Sequence, residues 1–302
     1  MDLGVGLDAR LGLGLDDLRE LAQEAKALGY TSAWTPNGTL DPFLLCALWW
    51  ESARIATGIS VLPVPVAGSP ASLARSAATL SALTGGRFVL GIGSGTPDPG
   101  AVARTGGQLR AVREILAENP PVYLAALGPR MLRLAGAEAD GVALNWCSAA
   151  HVTWSRAQVE HAALRARRDP GSVPLVEYVR VCVDEDADAA RLAIARQFVA
   201  YALARPEQPK AVGYRAHFAR MGFGAALDEL EARRDRGASA EELARHVPLA
   251  VLSGVAAFGS AAMVRTGFHR LARGLDVAIV RVITVRPGAD AAREAMVACR
   301  PD

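Results

Sequence analysis

The sequence predicts an α/β chain folded as a parallel (β/α)8 (TIM) barrel, with extra helices inserted before the eighth strand. Three observations carry that expectation. β-prone runs alternate with helical runs along the chain until eight strands are counted, the pattern of a parallel sheet built from crossover units. The run Arg87-Phe88-Val89-Leu90 has almost no polar content, as a strand covered by helices on both faces requires. A length of 302 residues suits one domain over residues 1–302, since such barrels run to about 250. A doubly wound sheet is the lesser option.

Taken in order, Leu3 to Leu7 opens as a strand, and Leu18, Leu21, Ala22, Ala25 and Leu28 line one face of a helix that Gly29 ends. Thr31 to Thr35 is the second strand, and Asp41-Pro42 starts the next helix. Ile59 to Leu62 is the third strand, closed by Pro63 and Pro65. Ser69-Pro70 combines a hydroxyl N-cap with proline at the first helical position. Leu73, Ala77, Leu80 and Leu83 then give one apolar face, and Gly85-Gly86 stops the helix. The fourth strand is Arg87 to Leu90, running into the glycine loop Gly91-Ile92-Gly93-Ser94-Gly95. A short helix over Leu109–Leu116, a strand over Pro121–Ala125, a helix from Gly128-Pro129 and a strand over Gly141–Leu144 follow. A long helix covers Ala149–Arg168, the seventh strand Leu175–Val183, and a helix Asp186–Ala204. From Pro206 to Ala272 the chain reads as helix after helix, broken at Gly222, Gly237, Gly254 and Gly259. Asp276–Val282 is the last strand and Ala291–Ala298 a closing helix.

Hydrophobic residues make up 51% of the chain, in runs shorter than the ~20 residues a membrane helix needs. Met1-Asp2-Leu3-Gly4 carries no basic leader, so a cytoplasmic protein is expected. The net charge of +2 predicts no pull on nucleic acid or on a membrane surface. Cys46, Cys147, Cys182 and Cys299 show no CxxC spacing and read as buried free thiols. His151, His161, His217, His246 and His269 form no HxxxH or HExxH pair, so no metal site is expected. Only Lys26 and Lys210 are lysines, so an anion clamp must draw on arginine, backbone amides or hydroxyls.

Two places carry chemistry. Gly91-x-Gly93-x-Gly95 stands at the carboxyl end of a strand, where α/β folds bind ligands. It either makes a tight turn or lets backbone amides approach a flat ring or an anion. It is neither a Rossmann fingerprint, because Thr96 takes the sixth position, nor a Walker loop. Leu127-Gly128-Pro129-Arg130 is a helix N-terminus, which favours an anion or is an ordinary helix start.

Thr57 to Gly95 and Pro121 to Trp146 resemble, in that order, two blocks of the luciferase-like monooxygenase superfamily, in the branch using the deazaflavin coenzyme F420. The likeness extends over most of the chain. It implies an F420-dependent oxidoreductase that moves a hydride between the coenzyme and a small-molecule substrate. FMN is the alternative cofactor, with an FMN-dependent monooxygenase as the alternative activity. A catalytically degenerate binding barrel is the second alternative. The resemblance implies that Ser60–Val61 is a non-proline cis peptide backing the ring, with Gly93, Ser94 and Gly95 beside it. It also implies that Ala125, Ala126 and Gly128 line the phosphate-bearing tail and that Asn145 helps hold the phosphate. Trp146 is either a pocket wall or packing. Sugar-phosphate dehydrogenases of this branch carry an acid–histidine pair where Asn37-Gly38 stands here, and an acidic residue where Thr96 stands. Reduction of an activated C=C or C=N bond is therefore favoured over sugar-phosphate oxidation. Asp8, Asp98 and Tyr178 are the candidate proton donors. The segment from Thr96 to Pro121 is shorter than in many relatives, and a homodimer is the expected assembly.

Overall fold

The computed structural model describes residues 1–7, 11–116, 119–205 and 207–301. The first half alternates strictly: β1 (Asp2–Gly6), α1 (Leu15–Ala27), β2 (Ser32–Thr35), α2 (Pro42–Ala53), β3 (Ala56–Pro63), α3 (Pro70–Leu83), β4 (Phe88–Gly93), α4 (Ala101–Leu116), β5 (Val122–Ala125), α5 (Pro129–Glu138), β6 (Gly141–Asn145), α6 (Ala149–Arg165), β7 (Leu175–Val183) and α7 (Ala187–Ala202). A helical insertion follows, with α8 (Gly213–Phe218), α9 (Gly224–Asp235), α10 (Ala240–His246) and α11 (Leu249–Val255). The chain closes with β8 (Ala256–Gly259), α12 (Ala261–Leu271), β9 (Val277–Val282) and α13 (Ala289–Cys299).

Strands β1 to β7 and β9 form a closed eight-stranded barrel in which every neighbouring pair is parallel. The helix starts follow from the local sequence. Asp41 Oδ1 accepts from the amides of Phe43 and Leu44 at 2.9 and 3.0 Å, and Ser69 Oγ from that of Ser72 at 3.2 Å. Gly29, Gly85 and Gly86 end their helices with positive φ, the conformation that favours glycine.

The lumen is packed around Trp34, Ala143, Val176, Tyr178 and Ile279. The barrel closes on these rings because glycines face them. A Cβ on Gly58 would stand 2.3 Å from the Trp34 ring, and one on Gly6 2.9 Å from Tyr178. A separate apolar cluster, with Phe198 and Phe218 at its centre, lies beneath the insertion.

Three elements differ from the sequence reading. Helix α4 starts at Ala101, not Leu109. Gly106-Gly107 lowers its propensity by about 1 kcal/mol per glycine, but Gly106 sits against Leu134 of α5, where a Cβ would already touch at 3.4 Å. Gly91 to Gly93 belong to the ladder of β4, not to a loop, pairing with β3 and β5. The run from Pro206 to Ala272 also hides a strand. Arg180 and Val181 of β7 pair with β9 on one edge and with Ala256 and Ala257 of β8 on the other. Strand β8 thus takes the edge that β6 occupies lower down, up to Tyr178, before its chain turns away at Trp146.

Candidate functional site

The carboxyl ends of β3, β4 and β5 make a shallow floor. Strand β3 changes register against β4 between Ile59 and Leu62, and the Ser60–Val61 peptide within that bulge is cis. The Val61 side chain is carried over the neighbouring glycines. A Cβ on Gly91 would lie 2.9 Å from Val61 Cγ1 and 2.2 Å from the Ile59 carbonyl oxygen. One on Gly93 would lie 2.8 Å from Val61 Cγ2 and 3.1 Å from the Ala125 Cβ. Val61, Gly93 and Ala125 therefore meet, with Ser60 buried behind them. Gly95 continues the floor with φ 72° against Pro63 and Pro65, while Ser94 is half-buried. Side chains larger than alanine are absent from β4 and β5 at these positions, which leaves flat, backbone-lined ground.

Beyond this floor, the Ala126 amide donates to the Ala143 carbonyl at 3.1 Å, and Gly128 is the N-cap of α5. Gly128 offers no side-chain cap, so the first amides of this ten-residue helix keep their free donors at the positive end of the dipole. Arg220, in the short π-helical segment Ala219–Phe223 between α8 and α9, donates from Nη2 to the Leu127 carbonyl at 3.1 Å and sets a guanidinium beside the same helix start.

The β6–β7 side is polar and arginine-rich. Arg180 is buried, donates from Nη1 to Asn145 Oδ1 at 2.7 Å and to the Tyr178 carbonyl at 3.1 Å, and stacks 3.8 Å from the centre of the Trp146 ring. Burial lowers its pKa to about 10, still cationic at neutral pH. Asn145 Nδ2 donates to Tyr214 Oη at 2.5 Å, so both ends of this amide are engaged within the protein. Trp146 has no exposed surface and packs on Phe198, Tyr201 and Phe218; its indole is packing in this structure, not a wall. Arg180, Arg281, Arg196, Tyr201 and Thr284 border a cleft of about 190 Å³ at this end of the barrel.

The candidate donors part company. Asp8 lies outside the described residues. Asp98 is exposed and ion-paired with Arg104, whose hydrogen bond holds its carboxyl below the usual carboxylate range. Tyr178 points into the lumen with Arg281 above its ring at 5.4 Å. Glu177, the next residue along β7, is buried and accepts from the Cys147 amide at 2.6 Å; burial raises its pKa to about 8.

Two groups were not picked out in the sequence. The buried arginines announce themselves only as charges inside apolar strands, Arg180 in β7 and Arg281 in β9. Cys147, His151 and His217 come together although 70 residues separate the first from the last, which no spacing rule can detect. Burial lowers the pKa of His151 to about 4 and that of His217 to about 3, so both rings are neutral.

Known proteins share this architecture. The model of the luciferase-like monooxygenase family matches residues 3–118 and 106–278. A 5,10-methylenetetrahydromethanopterin reductase from Methanolobus tindarius is 26% identical over 208 residues, 57% of this chain and 63% of the reductase. An F420-dependent glucose-6-phosphate dehydrogenase from Rhodococcus erythropolis is 27% identical over 227 residues, 59% of this chain and 67% of its own. The match thus spans less than two thirds of the length of the archaeal reductase. Among solved structures, the coenzyme F420-dependent tetrahydromethanopterin reductase from Methanopyrus kandleri superposes with a TM-score of 0.74 at 18% identity, covering 99% of this chain and 97% of its own. With the family model spanning most of the sequence and the barrel closed as described, the chain belongs to the luciferase-like monooxygenase family.

Proposed function

We propose that this chain is an F420-dependent oxidoreductase acting on a small organic substrate, more readily by reducing an activated C=C or C=N bond than by oxidising a sugar phosphate. The observation that carries the reading is the floor of Val61, Gly93 and Ala125, cleared of side chains at the carboxyl ends of three adjacent strands. A flat tricyclic ring needs such a surface, and a Cβ on Gly93 would fill it. The residues present fit the coenzyme. Val61 would back the ring, Gly93, Ser94 and Gly95 would flank it, and Gly128 with the Arg220 guanidinium would meet a phosphate at the start of α5. When bound, the deazaflavin supplies the hydride chemistry; the protein supplies position, exclusion of water and a proton. Of the described donors, Tyr178 is assigned the proton, because it faces the lumen whereas Asp98 is held by Arg104 on the surface. Asn37-Gly38 and Thr96 offer no acid or general base, which supports reduction over sugar-phosphate oxidation.

Fluorescence titration of the purified protein with F420, and in parallel with FMN, tests this reading. Saturable F420 binding that is much tighter than FMN binding is the expected result, weakened at least about tenfold by Gly93→Val, which places a branched side chain on the floor. Tight FMN binding alone would move the chain to the FMN-dependent monooxygenases. Binding of neither would leave a barrel that has lost its cofactor, and the reading would fail.

A further inference from the structure

We propose that Cys147, His151 and His217 form a binding site for a single thiophilic metal ion, of the zinc(II) or copper(I) class, that fastens the helical insertion to the barrel. The site is independent of the cofactor floor.

One ligand atom from each of the three residues lies within 4.8 Å of the others, and Cys147 Sγ stands 3.9 Å from His217 Nε2. A tetrahedral site with Zn–S near 2.3 Å and Zn–N near 2.05 Å sets its ligand atoms roughly 3.4–3.6 Å apart. The sulfur–nitrogen pair is already close to that, and the widest separation must contract by about 1.2–1.4 Å, within the reach of side-chain rotation. All three residues are buried, Cys147 at 2%, His151 at 6% and His217 at 0% exposure.

The imidazoles leave buried polar atoms unspent. His217 Nε2, the nitrogen 3.9 Å from the sulfur, also lies 3.0 Å from the Trp146 carbonyl, which an ion would displace, and its Nδ1 has no partner. His151 Nε2 has no partner either. Ring nitrogens left without partners beside a buried thiol are hard to account for in an apolar core, where polar atoms find partners.

Ligand type agrees with a soft cation. Burial, then Glu177, push the Cys147 thiol well above its ordinary range despite Arg180 and Arg220, so an ion must bind thiolate strongly enough to displace that proton. The Met221 sulfur accepts from the amide of Ser148, the residue after Cys147, at 3.4 Å. Cysteine and imidazole together select zinc or copper(I) over magnesium or calcium. The ligands join the end of β6 and the start of α6 to α8, so an ion would clamp the insertion across the barrel mouth.

The chelator-stripped, fully reduced protein is titrated with cobalt(II), then challenged with zinc(II). Copper(I) is tested separately without oxygen against a chromophoric competitor. The expected result is one equivalent of cobalt per chain, with a thiolate-to-cobalt charge-transfer band, displaced by zinc. Cys147→Ser should abolish the band, and His151→Gln or His217→Gln should weaken binding at least about tenfold, while His161→Gln on the exposed face of α6 leaves it unchanged. If copper(I) alone binds stoichiometrically, the site is a copper site and the proposal stands. Should any variant fail to fold, X-ray absorption at the zinc edge of the loaded wild-type protein reads the same point, since one sulfur and two imidazole nitrogens should coordinate the ion. No charge-transfer band and no copper binding, a band that survives Cys147→Ser, or a zinc shell without sulfur would each overturn the proposal.

Discussion

Gly91→Ala is the sharpest test of the floor, because the new methyl group meets backbone. Its Cβ would stand 2.2 Å from the Ile59 carbonyl oxygen, 0.8 Å inside the 3.0 Å that real Cβ atoms respect. That oxygen belongs to β3, next to the register change, and cannot swing aside as a side chain would. Relief requires β3 and β4 to separate by most of an ångström, which lengthens the ladder hydrogen bonds beyond useful geometry. Overpacking costs about 1–3 kcal/mol, and a weakened ladder bond adds about 1 kcal/mol. The expected loss is therefore about 2–4 kcal/mol, a fall in Tm of roughly 3–6 °C for a domain of 302 residues. Thermal and urea unfolding of Gly91→Ala beside Gly38→Ala reads it, since a Cβ on Gly38 would meet nothing within 4 Å. Gly93→Ala is the intermediate case, meeting only Val61 and Ala125 side-chain atoms. A Gly91→Ala protein within 0.5 kcal/mol of the Gly38→Ala control would refute the packing argument.

Three further outcomes follow from the same structure. Tyr178→Phe should lower kcat about 100-fold or more if its hydroxyl delivers the proton, whereas Asp98→Asn should stay within about twofold; the reverse order would reassign the donor. Arg215→Met should destabilise the insertion by about 3 kcal/mol, because it strips a buried partner, 3.0 Å away, from Glu231, which is itself only 2% exposed. Urea unfolding with hydrogen exchange should place that loss in α7 to α9, and an unchanged midpoint would contradict it. Glu231 also sets a pH dependence. Burial raises its pKa, but Lys210, the Ala204 amide and Arg215 outweigh burial and hold it below the ordinary 4.5. A depressed folded pKa means that its stabilisation is complete above 4.5 and is lost as pH falls through the folded value. The stability gap between wild type and Glu231→Gln should therefore narrow on acidification below 4.5, and a gap that widens would refute the sign.

What the sequence disclosed depended on how local each signal is. Asp41, Ser69, Gly29 and Gly85-Gly86 mark helix ends within three or four residues, and the structure places caps and stops at each. The barrel was legible because strands covered by helices need apolar runs, and these recur through β9. The start of α4 was hidden because its two glycines lower propensity, while the packing of Gly106 on α5 is a tertiary fact. Strand β8, Ala-Ala-Phe-Gly, has no alternation to betray it and exists only because β7 offers an edge. At the site, the family resemblance supplied the candidates around Val61 and Gly93. The engagement of Asn145 by Arg180 and Tyr214 lay beyond reading, because Tyr214 is 69 residues away.

That short strand bears on how the chain can be cut. A segment spliced between two barrel strands is ordinarily a removable ornament, and shortening it is a common engineering step. Here the upper half of β7 obtains its outer hydrogen-bond partner from the excursion itself. A version trimmed between Val183 and Val277 would leave Arg180 to Val183 as bare strand edge at the rim, ready to recruit a strand from another molecule. Miniaturised variants should thus be lost to self-association before they are lost to unfolding, unless the four residues of β8 are kept.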